Sequence, residues 1–258
     1  MLIRTRAALA AVVLVALSPH VAPAQTVQAQ VADPAAVARG KALFADTSLS
    51  GNGQISCAAC HPANGHTDNK TYIGVDIVAD GNPQGRSTPS LWGAGLRSAY
   101  SWAGTAPSLE ANIRGIIVNR MKGAEPAPEA LAALAAYVRA LPVPRGPGVG
   151  DDGAPVAAAS AGVKRGFDLF VGAGGCATCH QLPSFDKKEA ENVGSGGAFK
   201  VPSLWAVSKT APYFHDGRYA SLAEAVKYMW EFQNAKLGTP SSPSAAELAD
   251  LVAYLEAL

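Results

Sequence analysis

The residues with the most specific chemistry are the four cysteines. They fall as Cys57-Ala58-Ala59-Cys60-His61 and Cys176-Ala177-Thr178-Cys179-His180, and no cysteine lies outside these two groups. Cys-x-x-Cys-His is the attachment site of a c-type haem. Two thioethers hold the porphyrin, and the adjacent histidine, here His61 or His180, reaches the iron as proximal ligand. Two other readings compete. A thioredoxin-like thiol pair needs no histidine after the second cysteine and sits in a βαβ unit, which the chain lacks. A zinc site made from all four cysteines leaves both histidines unexplained. The spacing therefore predicts two covalently attached haem c groups, on Cys57 and Cys60 and on Cys176 and Cys179.

What each iron would do depends on its sixth ligand, because a methionine thioether fills the site and raises the potential. Apart from Met1 the chain has only Met121 and Met229, one late in each half. Buried methionine is more often a gap-filler than a ligand, but the scarcity and placement favour ligation. Met229 is the stronger candidate. Met121 does not occupy the equivalent position, which is Ile116. His66 follows His61 too closely to cross to the other face of the same haem and reads as a solvated loop histidine. His215 reads as a histidine bonded to a haem propionate or to local backbone, and His20 lies in the leader.

These groups need helices to hold them. The chain has 258 residues, 48% hydrophobic, with 26 Gly and 18 Pro. That is enough apolar content for a core, and wholesale disorder is excluded. The formal charge of +1 gives no electrostatic case for nucleic acid. Arg4 and Arg6, an apolar run from Ala7 to Leu17 and the small-x-small site Ala22-Pro23-Ala24 read as a signal peptide over residues 1–24. The run is too short to span a bilayer, and no later segment reads as a membrane span. The mature chain is expected to be exported to the periplasm.

The remainder repeats one plan twice. Val37–Phe44 resembles Val163–Phe170, and Pro89-Ser90-Leu91-Trp92 is identical to Pro202-Ser203-Leu204-Trp205, offset by 113. Leu131, Leu134, Ala135, Val138 and Leu141 match Leu248, Leu251, Val252, Leu255 and Leu258, the face of an amphipathic helix. Gly40 and Gly166 recur inside the first helix of each copy, a repeated cost that suggests close approach of another helix. Ser221 and Glu224 form a capping-box pattern opening a helix through Met229. No stretch alternates as a strand. The expected fold is all-α: two tandem cytochrome c-like domains, 33–142 and 163–258, joined by a Pro/Gly-rich linker, 143–162.

At these residues the mature chain resembles the bacterial dihaem cytochrome c peroxidase and MauG family. The C-terminal match runs through the Cys176–His180 site, Phe199-Lys-Val-Pro-Ser-Leu204, Ala211-Pro-Tyr-Phe-His-Asp-Gly217 and Ser221 to Met229. The N-terminal match runs through Leu43-Phe44, Leu49-Ser50, Cys57–His61, Arg86-Ser-Thr-Pro-Ser-Leu91, Trp102 and Gly104. The resemblance implies a His180/Met229-ligated C-terminal haem that accepts electrons, an N-terminal peroxide site, and Trp102 between the haems. It also implies a small periplasmic cytochrome c or cupredoxin, or a partner enzyme, as redox partner. Family members often hold Ca2+ between the domains through carbonyls and water, which leaves no side-chain signature.

The chain departs from the family pattern in its N-terminal half. The switchable distal histidine is replaced by Val75. The peroxide-pocket glutamine and glutamate positions hold Asn112 and either Lys122 or Arg120. Trp102 and Asn112 are thus the only catalytic candidates the motif positions offer. A cation does not readily replace the glutamate, whose role is to shuttle protons. Met229 also departs from MauG-like members, which use a tyrosine there; the adjacent Tyr228 would point about 100° away on a helix. Electron transfer is the expected function, with peroxide reduction at the N-terminal haem as the alternative.

Overall fold

The computed structural model describes residues 33–72 and 85–258. The leader and Val75 lie outside the described residues. Among the described residues eight α-helices carry the fold: α1 (Pro34–Phe44), α2 (Cys57–Cys60), α3 (Pro62–Gly65), α4 (Leu109–Gly115), α5 (Pro128–Arg139), α6 (Ala161–Val171), α7 (Leu222–Lys236) and α8 (Ala245–Ala257). The starts are written locally. Asp33 caps α1 by accepting from the Ala35 N–H, and proline opens α1 and α5. Ser221–Glu224 closes a reciprocal capping box on α7, and Ser244–Glu247 does the same on α8.

The two halves are built on the same helix crossing. In the first, α1 packs on α5; in the second, α6 packs on α8. The crossing point is a glycine each time. A Cβ on Gly40 would lie 2.0 Å from the Ala133 carbonyl oxygen and 2.7 Å from Tyr137 Cβ. A Cβ on Gly166 would lie 2.0 Å from the Asp250 carbonyl oxygen and 2.7 Å from Tyr254 Cβ. The repeated glycine therefore lets two helix backbones touch. Each crossing anchors its own core: Phe44, Ile117, Leu134 and Tyr137 in the first half, Phe170, Phe185, Leu251 and Tyr254 in the second.

Two features differ from the sequence expectation. Short antiparallel pairs are present: β1 (Thr71–Tyr72) with β2 (Arg86–Ser87), and β3 (Lys187–Asn192) with β4 (Ala198–Val201). β3 reads Lys-Lys-Glu-Ala-Glu-Asn and is largely exposed, so no apolar alternation betrays it. The segment 143–162 is not a free tether. Val149 and Ala159 are buried in the second core, the Gly146 N–H donates to the Ala257 carbonyl, and α6 begins at Ala161.

The halves meet through specific bonds. The Ser98 N–H and hydroxyl donate to buried Asp186 at 2.8 and 3.2 Å. The Lys200 N–H donates to the Trp102 carbonyl, and the Ser87 N–H to the His215 carbonyl, both at 2.8 Å.

Candidate functional site

The C-terminal site is a cavity of about 190 Å3. Cys176, Cys179, His180 and Met229 all line it, with an apolar wall that includes Phe170, Leu204, Val226 and Leu255. The His180 Nδ1–H donates to the carbonyls of Phe185 (2.9 Å) and Pro202 (3.1 Å). Because both partners only accept, the proton is fixed on Nδ1, and Nε2 keeps its lone pair for a metal. Burial pushes the His180 pKa down, which favours the neutral form a ligand needs. Met229 reaches the cavity from α7, and Tyr228 does not: its hydroxyl donates to the Val193 carbonyl at 2.6 Å.

The N-terminal site is built from the same parts. Cys57–Cys60 form the one-turn helix α2, and the His61 N–H bonds back to the Cys57 carbonyl at 2.9 Å, as His180 does to Cys176. Burial pushes the His61 pKa down to about 4. Its Nδ1 is buried without a well-formed hydrogen bond. The His66 backbone, five residues on as Phe185 is from His180, still acts on the ring, in the direction that favours its charged form.

Cys57 and Cys176 are not poised as nucleophiles. Burial pushes Cys57 up to about 11 and Cys176 up to about 12, so both stay protonated near neutral pH. A redox-active pair needs a depressed pKa, and no disulfide joins the cysteines. Among the described residues, no three His, Cys, Asp or Glu side chains converge as a metal site. An apolar cavity lined by two cysteines and a tautomer-fixed histidine fits a covalent haem.

The other sequence candidates separate. Met121 is buried, at 8% exposure, in the core cluster that Cys57 and Ala58 pack against. It caps a π-helical turn, Ile116–Arg120, five residues beyond Ile116, the position that corresponds to Met229. Arg120 is half-buried, with its charge felt at Cys60 and Tyr72, whereas Lys122 is exposed. Arg120, not Lys122, is therefore the cation beside the first site. Asn112 sits half-buried on α4. Trp102 lies at the junction of the halves: its Nε1–H donates to Ser87 O at 2.9 Å, and its ring meets His215 edge-on at 6.3 Å. His215, buried and stacked on Phe199 at 3.7 Å, lines the C-terminal cavity.

His66 corrects the sequence reading. It is not a solvated loop side chain: it stacks on Trp92 at 4.0 Å, and its Nε2–H donates to the Lys209 carbonyl of the other half at 2.8 Å. Sequence reasoning also passed over Asp68, Tyr72 and Lys200. Tyr72 donates to the Asp68 carboxylate and lies 3.6 Å from Cys60 Sγ. Asp68 is thus a carboxylate at the edge of the first site, which only the return of the chain past Cys60 discloses.

Residues 34–143 match the model of the di-haem cytochrome c peroxidase family, and residues 163–258 match that of cytochrome c. The chain is 32% identical to the methylamine utilization protein MauG of Methylorubrum extorquens, over 87% of this chain and 78% of that protein. It is 28% identical to the cytochrome c551 peroxidase of Nitrosomonas europaea, over 95% and 85%. Among solved structures, a Kuenenia stuttgartiensis hydrazine synthase chain superposes with a TM-score of 0.70 at 22% identity, covering 88% of each chain, which shows a shared fold. No helix among the described residues is long and apolar enough to cross a membrane.

Proposed function

Because the chain belongs to the dihaem cytochrome c peroxidase and MauG family and so carries two covalently attached haem c groups, we propose that it is an exported electron-transfer protein. Cys176, Cys179 and His180 hold the C-terminal haem, with Met229 as sixth ligand. Cys57, Cys60 and His61 would hold the N-terminal haem, with Met121 as the thioether available to it. When bound, a haem iron supplies one-electron chemistry at a potential set by its axial ligands. The residues of the chain fix those ligands, exclude water and join the two sites through Trp102 and His215. The partner is a small cytochrome c or cupredoxin, or an enzyme that draws on it.

The observation that carries this reading is Met121, buried in the core cluster that Cys57 packs against, so that the first site has a thioether at hand as the second has Met229, which shares its cavity with His180 while Tyr228 turns away to Val193. A thioether-ligated site shuttles electrons and does not activate a substrate. Arg120 beside Cys60, where proton shuttling wants a carboxylate, supports the same reading for the first site. One observation favours a second reading, peroxide reduction at the N-terminal haem. Asp68 is a carboxylate beside that haem's attachment residue.

Electron paramagnetic resonance with visible and near-infrared spectra of the purified dihaem protein tests both. Two low-spin haems with a thioether charge-transfer band, unchanged by peroxide, are expected. A high-spin N-terminal haem whose spectrum responds to peroxide would replace electron transfer by the second reading.

A further inference from the structure

Lys200 is a cation in the wrong place unless something anionic meets it. It is 7% exposed and lines the C-terminal cavity. Its position is fixed by backbone on both sides: it lies on β4, its N–H donates to the Trp102 carbonyl, and a Cβ on Gly104 would sit 3.5 Å from Lys200 Cβ. Its ammonium makes no hydrogen bond among the described residues. The opposite charge that acts on it is Asp186, whose carboxylate takes the two donors of Ser98. Arg97 adds a like charge, and the buried ring of His180 is neutral. Glu191, also on the cavity, is paired with Lys187 and Lys236. Burial pushes the Lys200 pKa down to about 7. A buried ammonium without a hydrogen-bonding acceptor is strongly disfavoured.

The internal repeat sharpens the point. At the 113-residue offset, Lys200 corresponds to Ser87, also buried but neutral. The two sites therefore differ at this position, and the cation of the first site is Arg120, on a different element.

We propose that Lys200 is the carboxylate anchor of the C-terminal cavity: its ammonium pairs with a haem propionate and raises the potential of that haem. The residue is a positioning group and does not touch the reacting electron's donor or acceptor. A positive charge beside an iron favours the reduced state, which has gained an electron. This rests on the C-terminal site assignment above.

The test is spectroelectrochemical titration of both haems in the full dihaem protein, in Lys200→Met, Lys200→Gln and Lys200→Arg. The two neutral variants guard against failure of either to load haem. Lys200→Met and Lys200→Gln are expected to shift the C-terminal reduction equilibrium about tenfold towards the oxidised form, ~59 mV for one electron. The N-terminal potential should stay, and Lys200→Arg should restore the wild-type value. Unchanged potentials in either neutral variant overturn the proposal, as does an equal shift at both haems. A wild-type potential that moves with added acetate would mean that Lys200 holds a free carboxylate, and overturns the propionate assignment. Mass spectrometry of the Cys176–His180 peptide keeps the two failures apart. A peptide without haem defeats the site assignment, whereas a haem-bearing peptide with an unmoved potential defeats only the role of Lys200.

Discussion

Met229 is a half-buried side chain on α7 that shares its cavity with His180 and both C-terminal cysteines. Replacing it with alanine removes the only thioether that lines that cavity among the described residues. Met229→Ala is expected to shift the C-terminal reduction equilibrium at least about tenfold towards the oxidised form, ~59 mV. It should also abolish the thioether charge-transfer band. An unchanged potential and band would remove Met229 from the ligand set. The cysteines and their histidines were legible from type and spacing, because the attachment chemistry dictates both. Asp68 and Lys200 were not. A single Asp or Lys carries no spacing, and its meaning comes from what the folded chain places beside it.

Helix α6 shows how one residue sets an element. Propensity alone would make Gly166→Ala stabilising by about 1 kcal/mol. The Asp250 carbonyl at 2.0 Å from the new Cβ reverses that, because α6 and α8 would have to separate. Gly166→Ala is expected to destabilise the protein by about 2 kcal/mol. Urea denaturation followed by helical circular dichroism measures it, and a stabilised variant would refute the crossing argument. The repeat made this crossing visible in advance: two glycines at matched positions, each inside an apolar helical pattern. β3 stayed hidden for the opposite reason. It is held by pairing with β4 and by Glu191 contacts to Lys187 and Lys236, and not by an apolar face.

The described residues form one compact unit, and polar bonds join its halves. Asp186 is 2% exposed and holds both donors of Ser98. His66 and Lys209, Ser87 and His215, and Trp102 and Lys200 tie the same junction. The halves should therefore unfold together, with one midpoint whether unfolding is read at the N-terminal or the C-terminal haem. Asp186→Ala leaves the Ser98 N–H without its acceptor and should cost about 2 kcal/mol. Two separate midpoints in the wild-type protein would refute the coupling.

The covalent chemistry, the duplication and the helical class were written in the linear order of residues. Attachment motifs, helix caps and amphipathic faces are local patterns, satisfied within a few turns of chain. The surroundings of each site were decided only by the fold. Whether Arg120 or Lys122 stands beside the first site depends on which of them the fold buries near Cys60. Whether His66 is solvated depends on Lys209, which lies 143 residues away. Electrostatic environment and burial are properties of what packs nearby in space, and a chain of two similar halves gives no local sign of which groups its junction will bury.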